Sequence, residues 1–584
     1  MTLVELEHDG SGVEQLDPAR PKARARSSTQ AQLVIGVTVL AFLTPALWDV
    51  LSDPARPYGY LAADAFYYFT IATNWARFGV PTFDQTHPTN GFHPLWQWLT
   101  ALAEGVIEAL GQSRFALPGV AVIGGLLLLS AALVLLGLAR VKDGRVSPVF
   151  ALLPVGAWPL AISPVWWAAR DELPPHRMTP LFGTLWNFAN GLESAVLVAL
   201  FAGVVWFYVK RPADTPRRAL AFGLLLGALS LARLDHAVFA LAIAGLPFAH
   251  RLLRRDAGRA RLGAWTLCGW VAVLGLYLAY NVATVGRAMP VSGAVKSTFP
   301  HLNSSNLEVL LAAPGFGLRE AMFRLGRHGS FFVPALLAVA YFPFALRLGG
   351  TLKPPRPLLR AGHGRFSEVM LLTATGVIAL AAYDFAFVIG YQIGEWYAPV
   401  SVLFVSLFVL QVAEQLAARW RVPAGRWLGW GIFLGLHAVG LLSFWKLHRM
   451  LEWGSDYAVF CLGQAEKVVQ HYGANPPKLI SRDDGIVAFA TGFPTTSGTR
   501  LAIDPEGAAA DADGRFEQLL AERGVDRLTS LHYLNARGFR VGERSRRVQA
   551  FAQQVLLARP TRVYEVEYVD HWFGILRVSG PRER

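Results

Sequence analysis

Asp64 stands where the stretch "LAADAFYYFTIATNWARFGVPTFDQTHPTNGFHPLW" (61–96) passes into a dense aromatic run. A carboxylate held in a fixed direction can relieve a hydroxyl of its proton, which is general-base work. Tyr67, Ile71 and Trp75 follow at spacings of four and Phe78 at three, a helical pattern that Gly79 and Pro81 close. At the start of that helix Asp64 is also placed to cap it by accepting backbone N–H bonds, and capping does not exclude chemistry. Asp84, His87 and His93 share the loop "TFDQTHPTNGFHP", in which Pro81, Pro88, Gly91 and Pro94 set turns. His87 and His93 are metal-ligand types, although spacing alone completes no ligand set around them.

Cationic side chains can hold an anionic group such as a phosphate. Arg233, Lys296, Arg287 and His93 are the cations expected on the same side as Asp64. Each has a plainer reading beside it. Arg233 and Asp235 either face a ligand or form a local ion pair that fixes a turn, and Lys296 is either a ligand group or a solvated loop lysine. Glu193, near the start of an apolar run, either binds ligand or snorkels. Asp384 lies inside an apolar run, where ionisable groups are expensive and usually functional. Phe66, Tyr67, Tyr68, Trp96, Trp396 and Tyr397 suit flat ligand faces and equally suit an interfacial belt.

What must position these groups is a membrane framework. The 584 residues are 53% hydrophobic and only 16% charged, with a mean hydropathy of +0.36; soluble domains carry about 25% charged residues. The apolar runs predict eleven spans, near 32–48, 117–139, 148–168, 191–209, 217–232, 236–250, 262–282, 331–348, 367–390, 397–417 and 427–445. The net charge of +13 sits largely in the alternate loops "ARVKDGR", "KRPADTPRR", "HRLLRRDAGRAR", "RLGGTLKPPRPLLRAGHGR" and "ARWRVPAGR". That is an orientation signal and excludes nucleic acid as the partner. Those loops are expected inside with a basic tail, 1–30. Outside come a first loop, 49–116, and a C-terminal soluble domain, 446–584.

Residues 95–111 are the decisive segment. Leu95, Leu99, Leu102, Val106 and Leu110 share one side, while Gln97, Ala101, Glu104 and Glu108 share the other. A two-faced helix of this kind lies along the interface instead of crossing it. The predicted fold class is therefore an all-α polytopic membrane protein over 31–445, followed by a mixed α/β domain. In that domain helices are expected over 456–471 and 543–558. Strands are expected at "GIVAFATG" and "RVYEVEYV", with "HWFGILRVSG" as a returning partner. Cys268 and Cys461 form no disulfide framework.

The first-loop pattern, an Asp-aromatic-aromatic start, "TFD" and "TNGFHPLW", resembles that of bacterial GT-C glycosyltransferases, polytopic enzymes that use polyprenyl-phosphate sugars. "NGLESAV" (190–196), "LARLDH" (231–236), "YNVATVGRAMPVSGAVKS" (280–297), "EWYAPV" (395–400) and "SRDDGIVAFATG" (481–492) are similar in the same order, over about residues 30–500. The resemblance implies a GT-C fold in a bacterial inner membrane. It also implies a polyprenyl-phosphate sugar donor and a glycan, lipid or protein acceptor on the external face, with Asp64 as catalytic base. On this reading Arg233, Lys296 and His93 bind the donor phosphate. Glu193, Asp235, Asp384, Trp396 and Tyr397 bind sugar or acceptor. Many relatives carry paired acids where this chain has Ala63 before Asp64. A two-carboxylate metal site is thus not carried over. A divalent metal remains open as a cofactor, with Asp64, Asp84 and His87 as its ligands. A lipid or sugar transporter is the alternative; it should show repeated halves or broken helices at the midplane, and the sequence has no such repeat. A glycan-binding scaffold would not require Asp384.

Overall fold

Length and apolarity determine which helices can reach across a bilayer. The computed structural model describes residues 47–139, 188–306, 334–344, 360–388, 397–419, 462–529 and 539–581, a few single positions within them aside. The chain is mostly helical, with a small sheet near its C-terminal end. Among the described residues, four helices have the length and composition of a span, at Arg114–Ala139, His236–Leu253, Ala257–Val285 and Arg365–Phe387. Ser194–Lys210, Pro334–Phe344 and Pro399–Val412 are shorter apolar helices. The expected spans at 148–168 and 427–445, and most of that at 32–48, lie outside the described residues.

The helices are named in chain order. The first loop supplies α1 (Ala65–Phe78) and α2 (Pro94–Ala109). The apolar set is α3 (Leu117–Ala139), α4 (Ser194–Lys210), α5 (Pro216–Ala232), α6 (His236–Leu253) and α7 (Ala257–Val285). The short α8 (Val291–Lys296) precedes α9 (Arg360–Phe387) and α10 (Pro399–Arg419). Local chemistry sets their starts. Thr215 accepts the Arg218 N–H and Pro216 occupies the first turn of α5, while Asp256 accepts the Arg259 N–H ahead of α7. Packing pairs α3 with α4, α5 with α7, and α6 with α9.

α2 has 16 residues and so spans about 24 Å, short of a hydrocarbon core of about 30 Å. Its polar side faces protein: the Gln97 amide donates to the Tyr68 carbonyl at 3.1 Å, and the Thr73 hydroxyl donates to Glu104 at 3.2 Å. Leu99, Leu102, Val106 and Leu110 are exposed along the other side. α2 is thus two-faced, polar toward the protein and apolar outward.

The C-terminal sheet has the order β2-β1-β3-β5-β4. β1 (Leu479–Ser481), β2 (Thr495–Ser497) and β3 (Arg527–Thr529) run parallel, with Ile480 opposite Thr496 and Leu528. β4 (Arg562–Asp570) and β5 (Phe573–Pro581) pair antiparallel, so "RVYEVEYV" and the returning stretch are strands. α12 (Pro505–Ala512), α13 (Phe516–Glu522) and α14 (Arg546–Leu556) cover the sheet, α14 falling within the expected helix. "GIVAFATG" corrects the sequence reading: it is the helix α11 (Asp484–Thr491), not a strand. A short apolar run has no period that decides between the two. The tertiary setting decides it. Val487 packs into the sheet's core while Ile486, Ala488 and Phe489 pack into the membrane unit's core. A segment buried between two layers satisfies its backbone best within itself.

The membrane helices, α1 and α11 share one core. Phe489 is its hinge point, with ring centroids 5.7 Å from Phe66, 5.9 Å from Phe69 and 5.7 Å from Phe115. Truncating such a buried ring costs about 3–5 kcal/mol. Phe489→Ala is therefore expected to lower the unfolding free energy by about that amount and to open the 462–581 region to limited proteolysis first. Thermal unfolding and protease mapping in detergent would check it, and an unchanged midpoint would remove Phe489 from this role.

Candidate active site

The turn before α1 is tied to the segment that opens α4. The Ala62 N–H donates to the Asn190 carbonyl at 2.9 Å, and the Trp96 indole donates to the Gly191 carbonyl at 2.9 Å. "TNGFHPLW" and "NGLESAV" are thus joined in space. From α1, Asn74 donates to the Thr82 and Phe83 carbonyls at 3.1 and 3.0 Å, holding the loop that follows. Asp64 heads α1 with helical backbone angles, φ −65° and ψ −19°, and makes no side-chain capping bond. The capping role open to it is not used. Burial pushes its carboxyl above the usual range, opposed by Lys296; Glu193 adds to the rise and Arg233 opposes it.

Arg233 follows α5 and is buried with its counter-charges. Its Nη1 donates to Glu193 at 2.7 Å, and its Nε to Asp235 at 2.9 and 3.1 Å. The guanidinium stacks 3.7 Å from the centroid of Tyr397. The Asp235 oxygen lies 2.7 Å from His236 Nδ1. Burial works against the Asp235 carboxylate, but Arg233 and His236 outweigh it and hold it well below the usual range. Tyr68 donates its hydroxyl to Glu193 at 3.1 Å.

His93 accepts the Leu234 N–H at Nδ1, 3.2 Å away, which leaves Nε2 to carry the proton, 3.6 Å from Glu193. Burial lowers its pKa to about 4, against the pull of Glu193. At neutral pH the imidazole is therefore uncharged and offers one N–H. The sequence reading had counted it among the cations.

Lys296 ends α8 beside these groups. Its ammonium lies 5.6 Å from the Tyr397 centroid, and Asp64 is the negative charge that bears on it. Desolvation opposes its charge, yet Tyr397 and Asp64 outweigh it and raise its pKa. The following loop closes the end of α9: Asn303 and Asn306 donate to the Val388 carbonyl at 3.0 and 2.9 Å. Asp384, one turn earlier, is buried, with neither carboxylate oxygen hydrogen bonded among the described residues; Asp235 and Arg233 are its charged neighbours.

The fold thus gathers Asp64, His93, Glu193, Arg233, Asp235, Lys296, Asp384 and Tyr397. Trp396 lies outside the described residues. Asp84 and His87 go elsewhere, to the seam with the C-terminal unit. His87 Nδ1 is 2.6 Å from Asp84, and Arg523 donates to Asp504 at 2.7 and 3.0 Å. Asp84, His87 and Asp504 have ligand atoms within 4.8 Å of one another. Those atoms are already engaged: Asp84 also accepts the Thr86 and His87 N–H groups, and Asp504 caps α12 through Glu506 and Gly507. Arg523 supplies the positive charge there, so this set does not fit a resident metal without displacing it.

Sequence reasoning did not single out Asn90, His236 or the Tyr68 hydroxyl as site groups. Asn90 accepts the Val291 N–H at 3.1 Å and donates to the Arg287 and Met289 carbonyls, binding the first loop to the Lys296 segment. The only signal for Asn90 and His236 is their place inside quoted motifs.

No family model matches the sequence, and no curated protein matches it. Among solved structures the chain is similar to ArnT from Cupriavidus metallidurans in the apo state. The identity is 14%, the match covers 92% of this chain and 97% of that one, and the TM-score is 0.44.

The Asp84–His87 pair carries a pH signature. Its hydrogen bond to Asp84 raises the His87 pKa above the ordinary 6.5. Its contribution is complete below about 6.5 and is lost as pH rises through the folded-state value. Asp84 is desolvated, but the His87 side chain and N–H outweigh this and lower its pKa below the ordinary 3.8. That contribution is present above about 3.8 and is lost as pH falls through the folded-state value. Between the two, the seam is firmest. The thermal midpoint of the wild type is expected to fall from pH 6 to pH 9 more steeply than that of His87→Ala; parallel curves would dissolve the assignment.

Proposed function

We propose that the chain is a membrane glycosyltransferase, moving a sugar from a polyprenyl-phosphate donor to a glycan, lipid or protein acceptor of the cell envelope on the external face of the bacterial inner membrane. The observation that carries this reading is Asp64: a carboxylate at the head of α1, spent on no cap, whose pKa burial raises against the pull of Lys296, in a loop whose other helix, α2, leaves an apolar stripe exposed.

In this reading Asp64 accepts the proton of the acceptor hydroxyl as its oxygen bonds to the anomeric carbon. The bond from that carbon to the phosphate oxygen breaks, and the phosphate leaves with the electron pair. Lys296 neutralises the charge that gathers on it. A carboxyl pKa raised toward the working pH makes Asp64 a stronger base than an exposed aspartate. Arg233 adds positive potential to the phosphate side while Glu193 and Asp235 hold its guanidinium, so the direct contact is given to Lys296. His93 contributes a neutral N–H. Glu193, Asp235, Asp384 and the Tyr397 ring are assigned to sugar and acceptor hydroxyls. The lipid chain of the donor runs along the bilayer surface where α2 lies.

Two substitutions test the roles separately. Asp64→Asn removes no capping bond, so the thermal midpoint should hold while transfer falls by about 10²–10⁴-fold. Transfer by Asp64→Asn at wild-type rate, from a panel of polyprenyl-phosphate sugars in nanodiscs, would end its role as base. Lys296→Gln should weaken donor use by about ten- to a hundredfold, the worth of one charge-assisted contact. Lys296 also draws the Asp64 pKa down. Its loss should therefore move the acid limb of the pH–rate profile to higher pH. A weaker donor KM with an unmoved limb would separate Lys296 from Asp64.

A further inference from the structure

The C-terminal unit touches α1 without clearance. At Gly485, the second residue of α11, an added Cβ would stand 2.8 Å from the Tyr67 amide nitrogen and 3.1 Å from Phe66 Cβ. The first of these is helix backbone and cannot rotate away. The same crossing is bonded: Thr70 donates to the Gly485 carbonyl at 3.1 Å, and the Tyr67 and Thr499 hydroxyls lie 2.8 Å apart. Gly91, in the first loop, meets the same unit, where a Cβ would collide with the Leu501 carbonyl. Thr89 beside it donates to the Ile503 carbonyl at 2.8 Å.

The lysine-bearing segment is pinned to the same body. Val291, the first residue of α8, is fully buried in the sheet unit's own core with Ile480, Ile503 and Phe516. Lys296 closes that same short helix. Asp64 and Lys296 are more than two hundred residues apart in the chain, and the elements that carry them are both held by the C-terminal unit.

We infer that the C-terminal unit sets the position of the base-bearing helix against the lysine, with Gly485 as a positioning residue. The inference rests on the reading of Asp64 as base. A displacement of about 1 Å at a reacting group is enough to lower a rate by about a hundredfold, and a side chain at Gly485 would force the backbone of α1 or α11 to give by a part of that distance.

The experiment uses the full chain in nanodiscs. Gly485→Ala adds the intruding carbon. Thr70→Val removes the bond to the Gly485 carbonyl without adding bulk. Gly463→Ala is the control, because a Cβ there meets nothing within 4 Å. In Gly485→Ala, kcat is expected to fall about ten- to a hundredfold with donor KM unchanged. Its acid limb should move to higher pH as Asp64 leaves Lys296. Thr70→Val should change in the same direction by less, and Gly463→Ala should match the wild type. Unchanged kcat in both Gly485→Ala and Thr70→Val overturns the inference. So does a loss that merely follows the thermal midpoint, or that Gly463→Ala shares. Hydrogen exchange of the α1 amides supplies a readout independent of turnover, expected to be faster in Gly485→Ala and overturning the inference if it is not. Should the wild type transfer no sugar, the proposed function falls and the exchange result alone judges the contact.

Discussion

Burying the Arg233 guanidinium requires negative charge to come to it, and that requirement draws distant parts of the chain together. Glu193 arrives from the head of α4 and Asp235 from the turn before α6, while the Tyr397 ring comes from the start of α10. A buried ion pair of this kind adds little net stability over apolar packing, but removing one partner strands the other and is strongly destabilising. Its value lies in geometry. Glu193 in turn takes the Tyr68 hydroxyl from α1 and stands near the His93 ring at the head of α2. Both helices of the first loop are thereby referred to one charge.

A second constraint acts from the other side of α1. α11 fills the space between the sheet and the membrane unit, so its two faces belong to two cores. α1 is tied to the Arg233 cluster through Tyr68 and to α11 through Thr70. The Lys296 segment is held through Asn90 and Val291. The C-terminal unit is consequently part of the frame around these groups. The seam residues Asp84, His87, Asp504 and Arg523 serve that frame and stand apart from the groups assigned to chemistry.

The charges in the centre are not symmetrical. Arg233 is balanced by Glu193 and Asp235, and His93 is neutral. Asp64 and Lys296 remain, and the charge of each bears on the pKa of the other. In the function proposed, an incoming hydroxyl would meet the first and a departing anion the second, each with the sign that the developing charge needs. Asp384 adds a buried carboxyl whose oxygens make no hydrogen bond among the described residues.

Much of the frame was legible in one dimension. Apolar length marked the four helices of span length among the described residues, the spacing from Tyr67 to Phe78 marked α1, and the two-sided pattern from Leu95 marked α2. Alternation marked β4 and β5. These follow from local periodicity and solvation, which a sequence carries residue by residue. Candidate residues were legible as types: an acid in a loop, a basic-acidic turn, an acid in an apolar run. Their state was not. Whether Asp64 spends its oxygens on a cap, whether His93 is charged, and whether Arg233 faces a ligand or its own counter-ions depend on distances between segments tens to hundreds of residues apart. The identity of "GIVAFATG" as a helix had the same origin, since two opposing cores, and no local period, determine it. Sequence by itself therefore determined the periodic elements and the inventory of charges. The tertiary structure alone decided pairing, protonation and the role of the C-terminal unit, because electrostatics and packing act through space.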